Sequence, residues 1–318
     1  DLMRFTVDVT MQLAFGVDAN TLETPGPVIQ RHLDKVFPVL HRRTNAPITY
    51  WRWFRLPSDR ALDRALEAIE AEVGGMVRAA RERMVADPER EPVDFLEAIL
   101  AAAADEGSGI SDADIFANAG TLLLAGEDTT ANSLAWAVHY FTQYPDLFER
   151  ARGEVDSAVA PAPAMEDLEQ ANRLPFLDAF CNEVMRLKPV APMHVAEPLA
   201  DTEMLGCLIP RGTPIMMLLR HAATREEHFG GGDRFDPERW LAKREGCPHD
   251  RRAFLPFGGG PRLCPGRNLA LLEIRAVLAM LCRNFDLEPV GQGKEVREHL
   301  AFTMMPAGLK VRLRRRAV

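Results

Sequence analysis

The chain has 318 residues, 47% of them apolar and 26% charged, which is too hydrophobic for disorder and enough for one large domain or two ordinary ones. Its formal net charge of −8 argues against nucleic acid as the main partner, because phosphate recognition needs a net basic face. Five cysteines without a C-x-x-C and eight histidines without an H-x-x-x-H speak against a disulfide framework and a zinc site, and for a reducing, cytoplasmic setting.

Residues 1–15 are apolar at helical spacing and open directly at Asp1, which reads as the start of a fragment, so that any upstream anchor or signal would be out of view. A second helix is expected over 27–43. A third is expected to be capped by Ser58, with Leu62, Leu66, Ile69, Val73, Val77 and Met84 on one face and a kink at Gly74-Gly75. Pro92 to Ala104 gives a shorter helix. Ser111-Asp-Ala-Asp114 resembles a capping box, and the helix it starts, about 111–143, would be about 50 Å long at about 1.5 Å per residue. Helices follow over 145–159 and 175–187, so residues 1–188 form a helical part.

From 189 to 318 the pattern changes. Residues 202–219 alternate short β-type runs around a Pro210-Arg-Gly212 turn, and a Pro/Gly-rich stretch leads to a cysteine loop over 254–266. One strong helix is expected over 265–284, then short strands around Pro306 and Gly308. Helices first and strands later give a mostly α, α-rich α+β fold. No apolar run approaches the roughly 20 residues of a membrane span.

Three segments carry chemistry. In Phe257-Gly-Gly-Gly-Pro-Arg-Leu-Cys-Pro-Gly266, glycines let the backbone turn tightly, and Pro265 would open the helix, leaving Cys264 at a helix N-terminus that favours a thiolate. By itself this is a metal-ligand loop, a nucleophile site or a structural cysteine after a turn. Ala125-Gly-Glu-Asp-Thr-Thr130 interrupts an apolar helix with groups that are costly to bury. Glu183 and Arg186 share a helix face.

Together these segments resemble the cytochrome P450 family. Its F-G-x-G-x-R-x-C-x-G signature is matched at Phe257, Gly258, Gly260, Arg262, Cys264 and Gly266, its A-G-x-D/E-T-T at Ala125, Gly126, Asp128 and Thr129, and its E-x-x-R and P-E-R at Glu183, Arg186 and Arg239. The resemblance implies a P450 fold lacking its N-terminal helices and part of a β-sheet. It implies haem b with the Cys264 thiolate as axial ligand, Arg262 on a propionate and Phe257 beside the sulfur. Asp128 and Thr129 would be a proton relay, and Glu183, Arg186 and Arg239 a fold-locking triad. Val190–His194 and Thr303–Met305 would line a substrate pocket, with strand-edge packing as the equal alternative, and His194 is placed near a propionate. The activity implied is monooxygenation of a small apolar organic substrate with O2 and electrons from NAD(P)H through a separate ferredoxin or flavodoxin-type partner. Arg244, Arg251, Arg252, Arg262, Arg267 and Arg275 could form a basic docking face or scattered solvated charge, and Arg314-Arg-Arg316 reads as a solvated tail. The alternatives are a peroxide-driven or isomerising haem-thiolate enzyme, a non-catalytic haem-binding fragment and a cysteine-nucleophile hydrolase.

Overall fold

A computed structural model describes residues 1–24, 28–44, 46–105, 107–159, 162, 164–241, 249–290 and 296–316. It divides into two compact units, Asp1–Ala131 with Leu300–Phe302, and Asn132–His299 with Thr303–Val318. Among the described residues, no helix is long and apolar enough to cross a membrane.

The first unit contains α1 (Leu2–Phe15), α2 (Val28–Thr44), α3 (Pro57–Ala86), α4 (Phe95–Ala104) and the start of α5 (Asp112–Gln143). Its core collects one stripe from each: Val7, Met11 and Phe15, Val36 and Val39, Leu62, Ile69, Val73 and Val77, Leu96 and Leu100, and Ile115, Ala119 and Leu123. The three- and four-residue steps visible in the sequence are these stripes, except that Leu66 of α3, expected on the same face, is exposed and Met84 only flanks the core. Helix α1 stops at Gly16, whose φ of 65° lets its own N–H reach the Gln12 carbonyl while Val17 N–H reaches that of Met11.

Local start signals are mixed. The Ser111 box forms: Ser111 Oγ accepts from Asp114 N–H (3.2 Å), and Asp114 Oδ2 accepts from Ser111 N–H (2.9 Å). Ser58 caps nothing. Helix α3 begins at Pro57, Asp59 closes it by accepting from Leu56 N–H (2.9 Å), and Ser58 Oγ receives Arg42 instead. Gly74 and Gly75 lie inside one continuous α3, where a Cβ on Gly74 would be in ordinary contact with Phe116 at 3.4 Å. Helix α4 starts at Phe95, three residues later than Pro92, because Asp94 caps it through Glu97 N–H (2.7 Å).

The second unit holds the rest of α5, α6 (Pro145–Ala158), α7 (Leu168–Asn172), α8 (Pro175–Leu187), α9 (Leu219–Thr224) and α10 (Arg267–Asn284). Among the described residues its strands are β1 (His194–Ala196), β2 (Thr202–Met204), β3 (Cys207–Ile209), β4 (Ile215–Met217), β5 (Phe285–Pro289), β6 (Arg297–Leu300), β7 (Met304–Ala307) and β8 (Val311–Arg315). They pair two by two as β1–β4, β2–β3, β5–β8 and β6–β7, with His194 opposite Met217 and Phe285 opposite Arg315. Phe141 stacks on Phe180 at 4.0 Å and Tyr140 on Phe235 at 4.2 Å, and Trp136 is buried. Helix α8 starts where both carboxylate oxygens of Glu154 accept the N–H groups of Phe176 (2.7 Å) and Leu177 (2.9 Å). Arg314 and Arg316 are no loose tail: Arg314 lies in β8 and pairs with Glu288 at 2.6 Å, and Arg316 reaches Asp156 at 2.8 Å.

Candidate functional site

The cysteine loop is built on its own backbone. Gly258 N–H donates to the Leu255 carbonyl (3.0 Å), Leu263 N–H to Gly260 (3.1 Å) and Cys264 N–H to Phe257 (2.9 Å). These bonds fold 255–264 into a tight double turn that requires positive φ at Gly258 (72°) and Gly260 (62°). A Cβ on Gly258 would sit 3.5 Å from the His194 ring, so β1 packs directly on the loop. The loop ends with Cys264 half-buried, and a Cβ on Gly266 would come within 3.9 Å of its sulfur. Phe257 is half-buried, and Leu255, Arg262 and Leu263 are exposed. Arg262 makes no ion pair or hydrogen bond among the described residues.

The helix after the loop begins later than its proline suggests. Pro265 and Gly266 continue the turn, and Gly266 is the cap of α10, which starts at Arg267. The first full helical bond runs from Ala270 N–H to the Gly266 carbonyl (2.9 Å). Cys264 therefore stands two residues ahead of the cap, outside the first turn of the helix.

In the first unit, the 125–130 segment remains helical within α5. Ala125 is exposed, Glu127 and Asp128 are buried (3% and 7% exposed), and Thr129 is partly exposed with its hydroxyl donating to the Ala125 carbonyl at 2.7 Å. Helix α1 presses on this turn. A Cβ at Gly126 would lie 2.9 Å from Thr10 Oγ1, and Thr6 Oγ1 lies 3.0 Å from the Glu127 carbonyl. Gly126 makes room, as its small size suggests, and what fills the room is a threonine.

In the second unit the structure brings Glu183, Arg186 and Arg239 together, all buried. Arg186 donates to both Glu183 oxygens (2.8 and 2.7 Å) and Arg239 to one (3.0 Å). Asp236 N–H and Trp240 Nε1–H complete the carboxylate's partners, each at 2.8 Å. Arg186 also donates to the carbonyls of Ala223 (2.9 Å), Gly232 (2.6 Å) and Arg234 (3.0 Å). Five donors on one carboxylate satisfy the condition under which a buried ion pair is tolerable.

The two expected pocket stretches meet, since Met304 N–H donates to the Val190 carbonyl at 2.9 Å. Thr303 and Met304 are buried, however, with the Thr303 hydroxyl held by Asn132 (3.1 Å) and the Met304 carbonyl by Trp136 (2.9 Å), which is core packing. Only Met305 of that turn keeps partial exposure. The basic face is smaller than its sequence cluster. Arg252 pairs with Asp250 at 2.9 Å, and Arg275 is turned onto the Leu271 carbonyl (3.0 Å) and Asp178 (3.5 Å). Arg244 and the side chain of Arg251 lie outside the described residues. Arg262 and Arg267 remain exposed.

Two groups that sequence reasoning missed stand close by in the chain. Glu273 of α10 is 5% exposed, its Oε2 has no hydrogen-bond partner among the described residues, and burial pushes its carboxyl up to about 7. Gly232 is irreplaceable on steric grounds, because a Cβ there would overlap the Thr224 carbonyl oxygen at 2.0 Å.

The family profile described as Cytochrome P450 matches residues 1–313. A self-sufficient cytochrome P450 monooxygenase of Aspergillus niger is 31% identical over 98% of this chain and 29% of its own length. A cyclooctat-9-en-7-ol 5-monooxygenase of Streptomyces melanosporofaciens is 33% identical over 86% of the chain and 58% of its own. A crystal structure of a cytochrome P450 superposes with a TM-score of 0.84 at 28% identity, covering 99% of this chain and 71% of that one. The chain thus spans less than two thirds of these curated relatives.

Proposed function

The chain belongs to the cytochrome P450 family, and from that premise we propose that it serves as a haem-thiolate monooxygenase. It would insert one atom of O2 into a small apolar organic substrate and reduce the other to water, with electrons from NAD(P)H arriving through an electron-transfer partner. The observation that carries this reading is the cysteine loop: a half-buried thiol at the end of a turn made by two left-handed glycines, beside an arginine without a partner among the described residues. These residues fit haem b. A soft sulfur donor suits its iron, glycine backbone admits a flat macrocycle, and a guanidinium fork suits a propionate.

Cys264 would hold the haem iron through its sulfur, Arg262 would hold a propionate, and Phe257 would limit water at the sulfur. Gly258, Gly260 and Gly266 would keep side chains out of the macrocycle's way. When bound, haem held by a thiolate would supply the activation of O2. The chain's own task is then protons. Asp128 would take them from water, and Thr129 would deliver them from Oγ1. Because that hydroxyl donates to the Ala125 carbonyl, it must let go of this bond before each delivery. Ala125 and Gly126 would leave space on α5, and Glu183, Arg186 and Arg239 would fix the fold.

Two relatives' names support the finer points. The Streptomyces enzyme is named for oxygenating cyclooctat-9-en-7-ol, in keeping with an apolar substrate. The Aspergillus relative is named self-sufficient, which describes electron supply in that protein. For this chain a ferredoxin or flavodoxin-type donor meeting the exposed Arg267 is the proposal. The deciding test is optical. The reduced, carbon monoxide-treated haem protein is expected to show the red-shifted Soret band of thiolate ligation, and Cys264→Ala to lose it. A band that survives the substitution, or a protein that takes up no haem, overturns the reading.

A further inference from the structure

Two threonines of α1, one turn apart, meet the same turn of α5. Thr6 is fully buried, and its hydroxyl lies 2.9 Å from the Met3 carbonyl and 3.0 Å from the Glu127 carbonyl. One hydroxyl hydrogen has two acceptors, one in its own helix and one across. Thr10 is 3% exposed, its Oγ1 has no hydrogen-bond partner among the described residues, and it faces Gly126 at a distance that leaves no room for a Cβ. A buried hydroxyl costs free energy unless it is used. Two of them at positions i and i+4, where alanine would pack as well against α5, are not what burial alone would select.

We propose that Thr6 and Thr10 are positioning residues for the proton-relay turn of α5. Thr6 holds the Glu127 carbonyl, and Thr10 against Gly126 sets how close α1 stands. The residues that follow, Asp128 and Thr129, take their direction from a backbone so held. The hydroxyl of Thr6, by turning between Met3 and Glu127, can tighten or release that carbonyl without any movement of the helices. This rests on the reading of Asp128 and Thr129 as the relay. It adds residues from a helix that carries none of the family's signature motifs.

The test uses Thr6→Val, which keeps shape and removes the hydroxyl, with Thr6→Ser as rescue and Asp128→Asn as control. In the haem-free protein, amide exchange over 125–131 is expected to speed up about fivefold in Thr6→Val, the shift that follows from losing one buried hydrogen bond, and to return in Thr6→Ser. In the haem-loaded protein with NAD(P)H and an electron donor, product formed per NAD(P)H consumed should fall at least about threefold in Thr6→Val, peroxide taking the difference. Substrate affinity and the carbon monoxide band should hold. Unchanged exchange and yield, equal damage by Ser and Val, or a fall in yield matched by a fall in affinity overturns the proposal. If Asp128→Asn leaves the yield untouched, the relay reading fails, and the exchange data alone still decide whether Thr6 holds α5. Should Thr6→Val not fold, Gly126→Ala takes its place: its yield should drop, and Thr10→Ala in the same background should restore it. Failure of that restoration counts against the proposal.

Discussion

Replacing Glu273 by Gln should remove a pH-dependent part of the protein's stability. The carboxyl is pushed up to about 7 from an ordinary value of 4.5 by burial alone. Below pH 4.5 both folded and unfolded chains carry it protonated, and burial costs little. Between 4.5 and 7 the unfolded chain loses the proton while the folded chain keeps it, so the unfolded state binds fewer protons and stability falls as pH rises. Above 7 both are ionised and the loss is complete. A displacement of 2.5 units, at about 1.4 kcal/mol each, amounts to about 3 kcal/mol across that window. Gln keeps the shape and cannot ionise. The two proteins should therefore unfold at similar urea concentrations at pH 4.5, and Glu273→Gln should be the more stable by about 3 kcal/mol at pH 8, every other titration cancelling in the difference. Urea midpoints followed by tryptophan fluorescence at four or so pH values would measure it. Parallel curves for the two proteins would show that Glu273 is ionised and satisfied in the fold, and the reasoning from burial would be wrong.

Gly232→Ala should destabilise by about 3 kcal/mol or more, because its Cβ meets a backbone carbonyl that cannot give way; a normal urea midpoint would contradict the close approach. Glu183→Gln leaves Arg186 and Arg239 buried without their counter-charge and should cost about 3–5 kcal/mol, read as a loss of folded yield or a lowered melting temperature. Hydrogen bonds from Arg220, with help from Lys188, hold the Glu298 carboxyl down at about 2. The stability this pairing adds is full above the unfolded value of 4.5 and fades as pH falls toward 2. Glu298→Gln should accordingly lower stability at pH 7 and converge with the parent at pH 2, a difference that acid titration by circular dichroism would follow.

The legibility of this sequence follows the range of its interactions. Long helices announced themselves because a stripe such as Leu62, Ile69, Val73 and Val77 is periodic in the chain before it is packed in space. The Ser111 box was readable because both its partners lie within four residues. Helices α7 and α9 were not, being too short to show a period. Pro265 misled by two residues because proline marks turns as readily as helix starts. The three-residue spacing of Glu183 and Arg186 was visible in the chain itself, but Arg239 joined them only through family resemblance. The three carbonyls that Arg186 also binds were not visible at all, since nothing local marks an acceptor 37 to 48 residues away. Thr6, Thr10 and Glu273 look like unremarkable helix positions until the neighbouring helix is in place.

The guanidinium of Arg186 has a further consequence for how the molecule opens. The stretch from Ala223 to Asp236 forms no strand and, past the end of α9, no regular helix. Part of its backbone is instead moored to one cation rooted in α8. Such a stretch does not fray one carbonyl at a time: releasing Arg186 frees three of them at once. It should therefore exchange its amides with a single common protection factor, shared with α8, and behave as one cooperative foldon.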